Sequence, residues 1–164
     1  MGIKELKDVV MLDGEIINVG KMENMPEGAL IEKQEMEYTT QNGWRKVKSL
    51  NEQKVDKINE LKIDCQTAIF QGFTVEMNGE SFYFGFNELD QMNFTQQLIL
   101  IVSGDQSKIS WKTNKGVKVF TTSDFMNVID AGKNHKLLQQ SKYWSLEQQV
   151  VNAKTIIEVD AIVW

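Results

Sequence analysis

Apolar and polar positions follow two different periods along this chain, and the period changes near Leu50. Before that point, short runs of period two are separated by turn sequences. Val9-Val10-Met11-Leu12 and Glu15-Ile16-Ile17-Asn18-Val19 flank Asp13-Gly14, a dipeptide that readily takes the positive φ values of a type I′ turn, which predicts a hairpin. Both faces of that hairpin carry apolar residues, Val9, Met11 and Ile16 on one and Val10, Leu12 and Ile17 on the other. Alternation therefore does not fix which face is buried, and the face of Val10, Leu12 and Ile17 is open to a partner. After the turn Met25-Pro26-Glu27-Gly28, Gln34 to Tyr38 and Trp44 to Lys48 form a second hairpin around Asn42-Gly43. A two-residue turn there sets Tyr38 opposite Val47 and Glu37 opposite Lys48. The segment has short strands and few large apolar residues, too little core to stand alone.

From Leu50 the spacing becomes helical. Val55, Ile58, Leu61, Cys65, Ala68 and Ile69 recur every three or four residues, and Gly72 is placed to stop that helix. Phe73 to Met77 then pairs through Asn78-Gly79 with Glu80 to Phe84, so that Phe73 faces Phe84 and Val75 faces Phe82. A second helix from about Glu88 to Ser103 is expected to be buried, because Leu98 to Val102 has no polar break. A hairpin of Ile109-Ser110-Trp111 with Val117 to Phe120 follows, around Asn114-Lys115-Gly116. Thr122 or Ser123 caps a long helix whose seam runs through Phe125, Val128, Ile129, Gly132, His135, Tyr143, Leu146 and Val150 to Ala153. Thr155-Ile156-Ile157-Glu158 has the spacing of a capping box and opens a short helix that carries Ile157 and Ala161 inward, bringing Trp164 against the core. The fold class is α+β: N-terminal β-hairpins over residues 1–49, then over residues 50–164 a helical domain with small β-hairpins and a long C-terminal helix.

Composition changes this picture by exclusion. The chain has 164 residues, 41% hydrophobic and 25% charged, which suits one compact core with an appended segment. The net charge of −5 is spread evenly, with 7 basic and 9 acidic groups in the first fifty residues and 11 and 14 in the remainder. Neither part is a basic module that neutralises phosphates, so nucleic acid is not an expected partner. Met1 to Lys7 lacks the apolar core of a signal peptide, and Leu98 to Val102 is too short to span a bilayer, so neither membrane insertion nor secretory export is expected. Cys65 is the only cysteine; on an apolar helical seam it reads as a buried thiol in a reducing cytosol.

Candidate chemistry is sparse. One His and one Cys do not make a closed thiolate and imidazole zinc site, and no calcium-loop spacing or phosphate-cradling glycine loop occurs. No metal or cofactor is expected. A Cys65–His135 nucleophile pair is disfavoured because both lie on apolar seams with no oxyanion-loop motif beside them. Asp90, Gln91 and Asn93 form a polar set near a helix start, where capping of local amides is favoured over partner binding. His135 is assigned to packing rather than to a pH switch. Lys108, Lys112, Lys115 and Lys118 beside Trp111 are assigned to a solvated hairpin face rather than to single-strand binding.

The motif order in the second half supplies what the chemistry lacks. A helix leading into Ala68-Ile69-Phe70-Gln71-Gly72-Phe73 precedes Asp90-Gln91-Met92-Asn93-Phe94. Trp111 with the Asn114-Lys115-Gly116 turn, His135 and Leu138, and Ala153-Lys154-Thr155 leading to Asp160-Ala161-Ile162-Val163-Trp164 complete the run. From about Lys54 to Trp164 the chain resembles a phage-tail-associated domain of unknown function. Gly14 to Gly20 and Met25-Pro26-Glu27-Gly28-Ala29 resemble N-terminal segments of small tail-accessory proteins from phages of Gram-positive bacteria, although Asn24-Met25-Pro26 matches their turn only in part. The resemblance brings no catalytic residues. It implies a noncatalytic tail protein of a phage or phage-like (tailocin) particle, made in the host cytoplasm and attached to a baseplate or tail-fibre protein, with oligomerisation through the particle. Val10, Leu12, Ile17 and Trp44 are the candidate interaction residues, and Asp90, Gln91, Asn93, His135 and Trp164 the candidate structural ones. A tail-fibre assembly chaperone is the alternative. A cell-wall glycan-binding or hydrolytic module, with Trp44, Trp111 and Trp164 stacking on sugars, is the further one.

Overall fold

A computed structural model of the chain describes residues 3–39 and 43–164, apart from the side chains of Lys4 and Thr39. The architecture is α+β, and the chain divides into two compact units, Met1–Glu52 and Gln53–Trp164.

The first unit joins both expected hairpins in one four-stranded antiparallel half-barrel. Strands β1 (Ile3–Leu12), β2 (Glu15–Val19), β3 (Leu30–Thr39) and β4 (Gly43–Lys46) lie in the order β2-β1-β3-β4. The first turn forms as its sequence predicts, with Asp13 and Gly14 at φ 51° and 83°. Beyond it the register slips between Val10 and Met11, because Met11 faces Ile16 while Val10 faces Asn18, leaving Ile17 as a bulge. The long β1–β3 ladder, from Ile3↔Tyr38 to Met11↔Leu30, gives β1 a second neighbour that local hairpin signals do not reveal.

The second hairpin departs from its expected register. Tyr38 faces Trp44 and Glu37 faces Arg45, so each pairs with a residue three positions earlier than a two-residue Asn42-Gly43 turn sets, and Gly43 itself is paired, with Thr39. Asn42 itself lies outside the described residues. The shifted register sets the Tyr38 and Trp44 rings 5.3 Å apart, where the expected one offered Tyr38 only Val47.

The second unit is organised around phenylalanine. Helix α1 (Leu50–Phe70) turns at Gly72 into the hairpin β5 (Phe73–Met77) and β6 (Glu80–Phe84), whose register puts Phe73 on Phe84 and Val75 on Phe82 as the turn spacing requires. Helix α2 (Glu88–Val102), the hairpin β7 (Ile109–Thr113) and β8 (Gly116–Phe120), the 31-residue helix α3 (Thr122–Asn152) and the short helix α4 (Ile156–Asp160) complete it. Phe73, Phe82, Phe84, Phe86, Phe94, Phe120 and Phe125 are all buried in one cluster with Cys65, Ile69, Ile109 and Val128.

Several faces differ from those the periodicity suggests. Helix α2 buries only Phe94; Ile99, Leu100 and Val102 are exposed, since a helix that packs on one side leaves the rest of an unbroken apolar run in water. Val55 of α1 is also exposed, and the buried seam there is Leu61, Cys65 and Ile69. The cap of α3 is Thr121, one residue before the expected position: its Oγ1 accepts from Asp124 N at 3.1 Å and donates to Asp124 Oδ2 at 2.7 Å. In α4 half of the expected capping box forms, with Glu158 N donating to Thr155 Oγ1, while the Glu158 carboxylate accepts from Lys154 N, one residue before the N-cap amide that a full box would use. Its phase, however, turns Val159 inward and leaves Ile157 82% exposed, with Ala161 exposed too.

Helix α1 has a capping box that the sequence reading missed, Ser49-Leu50-Asn51-Glu52. Ser49 N donates to Glu52 Oε2 at 2.8 Å and Glu52 N to Ser49 Oγ at 3.2 Å, while Lys46 Nζ lies 3.2 Å from Glu52 Oε1. The Ser49 amide and hydroxyl, with Lys46, hold the Glu52 carboxyl down from the ordinary 4.5 to about 2. A depressed folded pKa contributes stability that is present above the unfolded value and is lost as pH falls through the folded one. Fraying of the first α1 turn is therefore expected as pH drops from about 4.5 through about 2, read by a carboxyl NMR titration of Glu52 and by faster exchange of the Ser49 amide.

Gly132 of α3 faces the rings: an added Cβ meets Phe73 Cε1 and Cζ at 2.9 Å and Phe86 Cε2 at 3.0 Å. Gly132→Ala gains about 1 kcal/mol of helix propensity but overpacks a core at a cost of about 1–3 kcal/mol. Because both rings are held in the cluster, a net loss of about 1 kcal/mol is expected, by urea denaturation. An equal or higher midpoint would show that the rings yield freely.

Candidate functional site

The second unit carries a groove of about 730 Å3 between α2, the end of β6 and the strand β7. Its floor is aromatic. Trp111 stacks on Phe94 at 4.5 Å between centroids and lies 4.8 Å from Phe125, so the indole is anchored in the core rather than free to swing out. One wall is α2, which presents Asn93, Gln96, Gln97 and Leu100; the other is the run of consecutive residues Ser110 to Asn114. Tyr83 and Gly85 close an end.

That end is held by an amide joint. Tyr83 N donates to Asn114 Oδ1 at 2.9 Å, and Asn114 N donates to Tyr83 O at 3.4 Å, so one asparagine satisfies both main-chain groups of Tyr83 and ties the two hairpins together. The Tyr83 hydroxyl donates to Gln71 O at 2.6 Å beside Gly72, where φ is +75° and an added Cβ lies 2.3 Å from Phe84 O; only glycine fits there.

The sequence-selected polar residues separate into different tasks. Asp90 lines the groove, yet its carboxylate accepts from Asn87 N at 3.1 Å while Asn87 Oδ1 accepts from Asp90 N, a reciprocal cap in which Asn87 is the N-cap. A Cβ at Gly85 would lie 2.7 Å from Asp90 Oδ2, so a larger residue there displaces the carboxylate from its place in the cap. Gln91 points the other way: its Nε2 donates to Phe86 O at 2.9 Å and its Oε1 accepts from Lys136 at 2.8 Å, coupling α2 to α3. Asn93 faces the groove. His135 Nε2 donates to Ile69 O at 3.1 Å, with its ring 6.0 Å from Phe73 and 6.1 Å from Phe86, which makes it a packing residue between α3 and the end of α1. Trp164 packs against the core cluster with the Lys142 ammonium 4.4 Å from its ring centroid.

Cys65 is buried in the core, and burial pushes its thiol up, away from thiolate character. Tyr143 donates to Glu147 Oε1 at 2.7 Å, and that bond, with burial, raises the phenol to about 12. Among the described residues no group of three or more His, Cys, Asp and Glu is placed to hold a metal ion, and no helix is long and apolar enough to cross a membrane.

In the first unit the face expected to be open is partly closed by the chain itself. Val10 is only 1% exposed, and Leu12 is half-buried where the β2–β3 connection passes, its Cδ1 lying 4.0 Å from a Cβ built on Gly28. Ile17, displaced by the bulge, remains exposed. Trp44 is half-buried under Tyr38, with Lys7 Nζ 4.4 Å from its ring centroid. The sequence reading missed Leu6, Leu30 and Ile31, which are 66%, 65% and 60% exposed on β1 and β3. Only the β1–β3 ladder reveals them as sheet residues, because Leu30 and Ile31 precede the run that the hairpin signal marks.

A model of the family described as a domain of unknown function (DUF4376) matches residues 52–163. No curated protein and no solved structure matches the chain.

The Asn114 joint generates a prediction for the groove. Asn114→Ala removes the acceptor for Tyr83 N–H, at a cost of about 0.5–1.5 kcal/mol. A lower melting temperature is expected together with faster exchange of the Tyr83 amide; an unchanged Tyr83 exchange rate would show that the hairpins are held together elsewhere.

Proposed function

We propose, on the premise that this chain belongs to the DUF4376 family of domains of unknown function, that it is a noncatalytic tail protein of a phage or phage-like particle, attached to a baseplate or tail-fibre protein. The observation that carries the reading is the ordered run of motifs from Ala68-Ile69-Phe70-Gln71-Gly72-Phe73 through Asp90-Gln91-Met92-Asn93-Phe94 and Trp111 to Trp164, which resembles a phage-tail-associated domain. The geometry adds support of a different kind. A small half-barrel that leaves Leu6, Ile17, Leu30 and Ile31 exposed presents more apolar surface than a sheet surrounded only by water needs, and a protein partner is the natural cover. In this reading the first unit attaches and the second is a folded adaptor. The attachment residues are Ile17, Leu6, Leu30 and Ile31; Val10 and Leu12 support the strand from within.

Co-purification of the full chain with the product of the neighbouring tail-fibre gene tests the assignment, together with its stoichiometry in purified particles. Stoichiometric presence is expected. Absence from particles, with fibre maturation still dependent on the gene, would replace the structural role by an assembly chaperone. Ile31→Asp is expected to weaken the complex at least tenfold while stability stays within about 0.5 kcal/mol, as for an exposed position. Unchanged affinity would move the interface off β3.

A further inference from the structure

The groove of the second unit has a wall that is a strand edge rather than a strand face. A strand presenting one face to a cavity contributes alternate residues, whereas Ser110, Trp111, Lys112, Thr113 and Asn114 all contribute in succession. The hydrogen-bond parity agrees. Thr113 pairs with Gly116 across the two-residue turn and must be a bonded pair, so Trp111↔Lys118 and Ile109↔Phe120 are bonded pairs as well. The N–H and C=O of Ser110 and Lys112 then point away from β8. Asn114 N–H, of the same parity, does leave the hairpin, for Tyr83 O. Among the described residues the main-chain groups of Ser110 and Lys112 have no other partner.

We propose that this open edge of β7, facing α2, is a docking site for one extended, uncharged polar segment of a protein partner, which adds a strand by pairing with the main chain of Ser110 and Lys112. Two further features fit that occupant. The opposite wall places Asn93, Gln96 and Gln97 at i, i+3 and i+4 on one helical face, and none of their side chains has a partner among the described residues. A carboxamide carries the same donor and acceptor as a peptide group, so this face can bond the second edge of an inserted strand. The lining holds one acid, Asp90, and one base, Lys112, so its formal charges sum to zero, which suits an uncharged segment. The same edge already accepts a neighbouring strand at one point, where Asn114 meets Tyr83 of β6; the added segment continues that pairing towards Ser110. Enclosure by α2 limits the edge to a single strand, and Lys112 on it discourages open-ended sheet growth.

The test needs no knowledge of the tail partner and so stands or falls apart from the tail assignment. A displayed library of random dodecapeptides is panned against the full chain, and a selected peptide is titrated while amide hydrogen exchange is followed. Exchange at Ser110 and Lys112 is expected to slow at least tenfold on binding. Ser110→Pro, which removes an edge N–H without touching a bond to β8, is expected to weaken binding at least tenfold, as is N-methylation of alternate peptide residues. Gln97→Ala, on the helix and away from the strand, lowers affinity severalfold. The proposal is overturned if selected peptides leave both amides unprotected, if Ser110→Pro binds unchanged, or if chitotetraose rather than any peptide occupies the groove. Exchange in the unsubstituted chain decides the matter even if Ser110→Pro folds poorly.

Discussion

The ring of Phe94 is the contact on which the second unit depends. It is the one buried residue of α2, and its ring lies near Trp111 of β7, Phe73 and Phe84 of the β5–β6 hairpin, Phe86 just before α2, and Phe125 of α3, at 4.5–6.4 Å between centroids. Ring pairs of this kind contribute about 0.5–1.5 kcal/mol each beyond the area they bury. Two small two-stranded sheets cannot be stable in isolation. They become parts of one core because each donates rings to the same cluster, and α2 is fixed there by Phe94, by the partly buried Ile101 and by the Gln91 bonds to Phe86 O and Lys136.

That economy has a consequence for the surface. A helix that packs on the core along one side leaves the other side free, so Asn93, Gln96 and Gln97 line the groove while Ile99 and Leu100 remain exposed. The opposite wall is available for a related reason. The β7–β8 hairpin meets the β5–β6 hairpin through shared rings, the Lys115–Glu80 ion pair and the Asn114 joint, and among the described residues that joint is the one place where main-chain groups of the two hairpins bond, which leaves the rest of the β7 edge without a strand. Around the groove, polar residues are placed by capping, as with Asn87 and Asp90, and the aromatic floor is placed by packing.

The candidate residues were legible to different degrees. His135 on the α3 seam already reads as a packing residue, because a lone imidazole among apolar neighbours needs only one acceptor, and Ile69 O supplies it. Asp90 reads as a capping residue from its position near a helix start, but Gln91 reads only as its neighbour; its partner Lys136 is 45 residues away and comes close through tertiary packing alone. Val10 is the instructive miss. Its alternation with Val9 puts the two on opposite faces, and nothing local says that the chain after β2 returns over Leu12.

Local chemistry in the sequence determined the turns at Asp13-Gly14 and Asn78-Gly79, the helix stop at Gly72, the pairing of Phe73 with Phe84 and Val75 with Phe82, the cap at Thr155 and the α+β class. These depend on φ preferences and hydrogen bonds within a few residues, which the sequence carries explicitly. Tertiary structure alone decided the β1–β3 ladder, the shifted Tyr38↔Trp44 register, the exposed end of α2, the inward choice of Val159 over Ile157, and the open edge of β7. Each of those is a choice between faces or partners of similar local energy. Apolar residues stand on both sides of β1, α2 and α4, so the side that is buried is set by which distant element arrives to cover it.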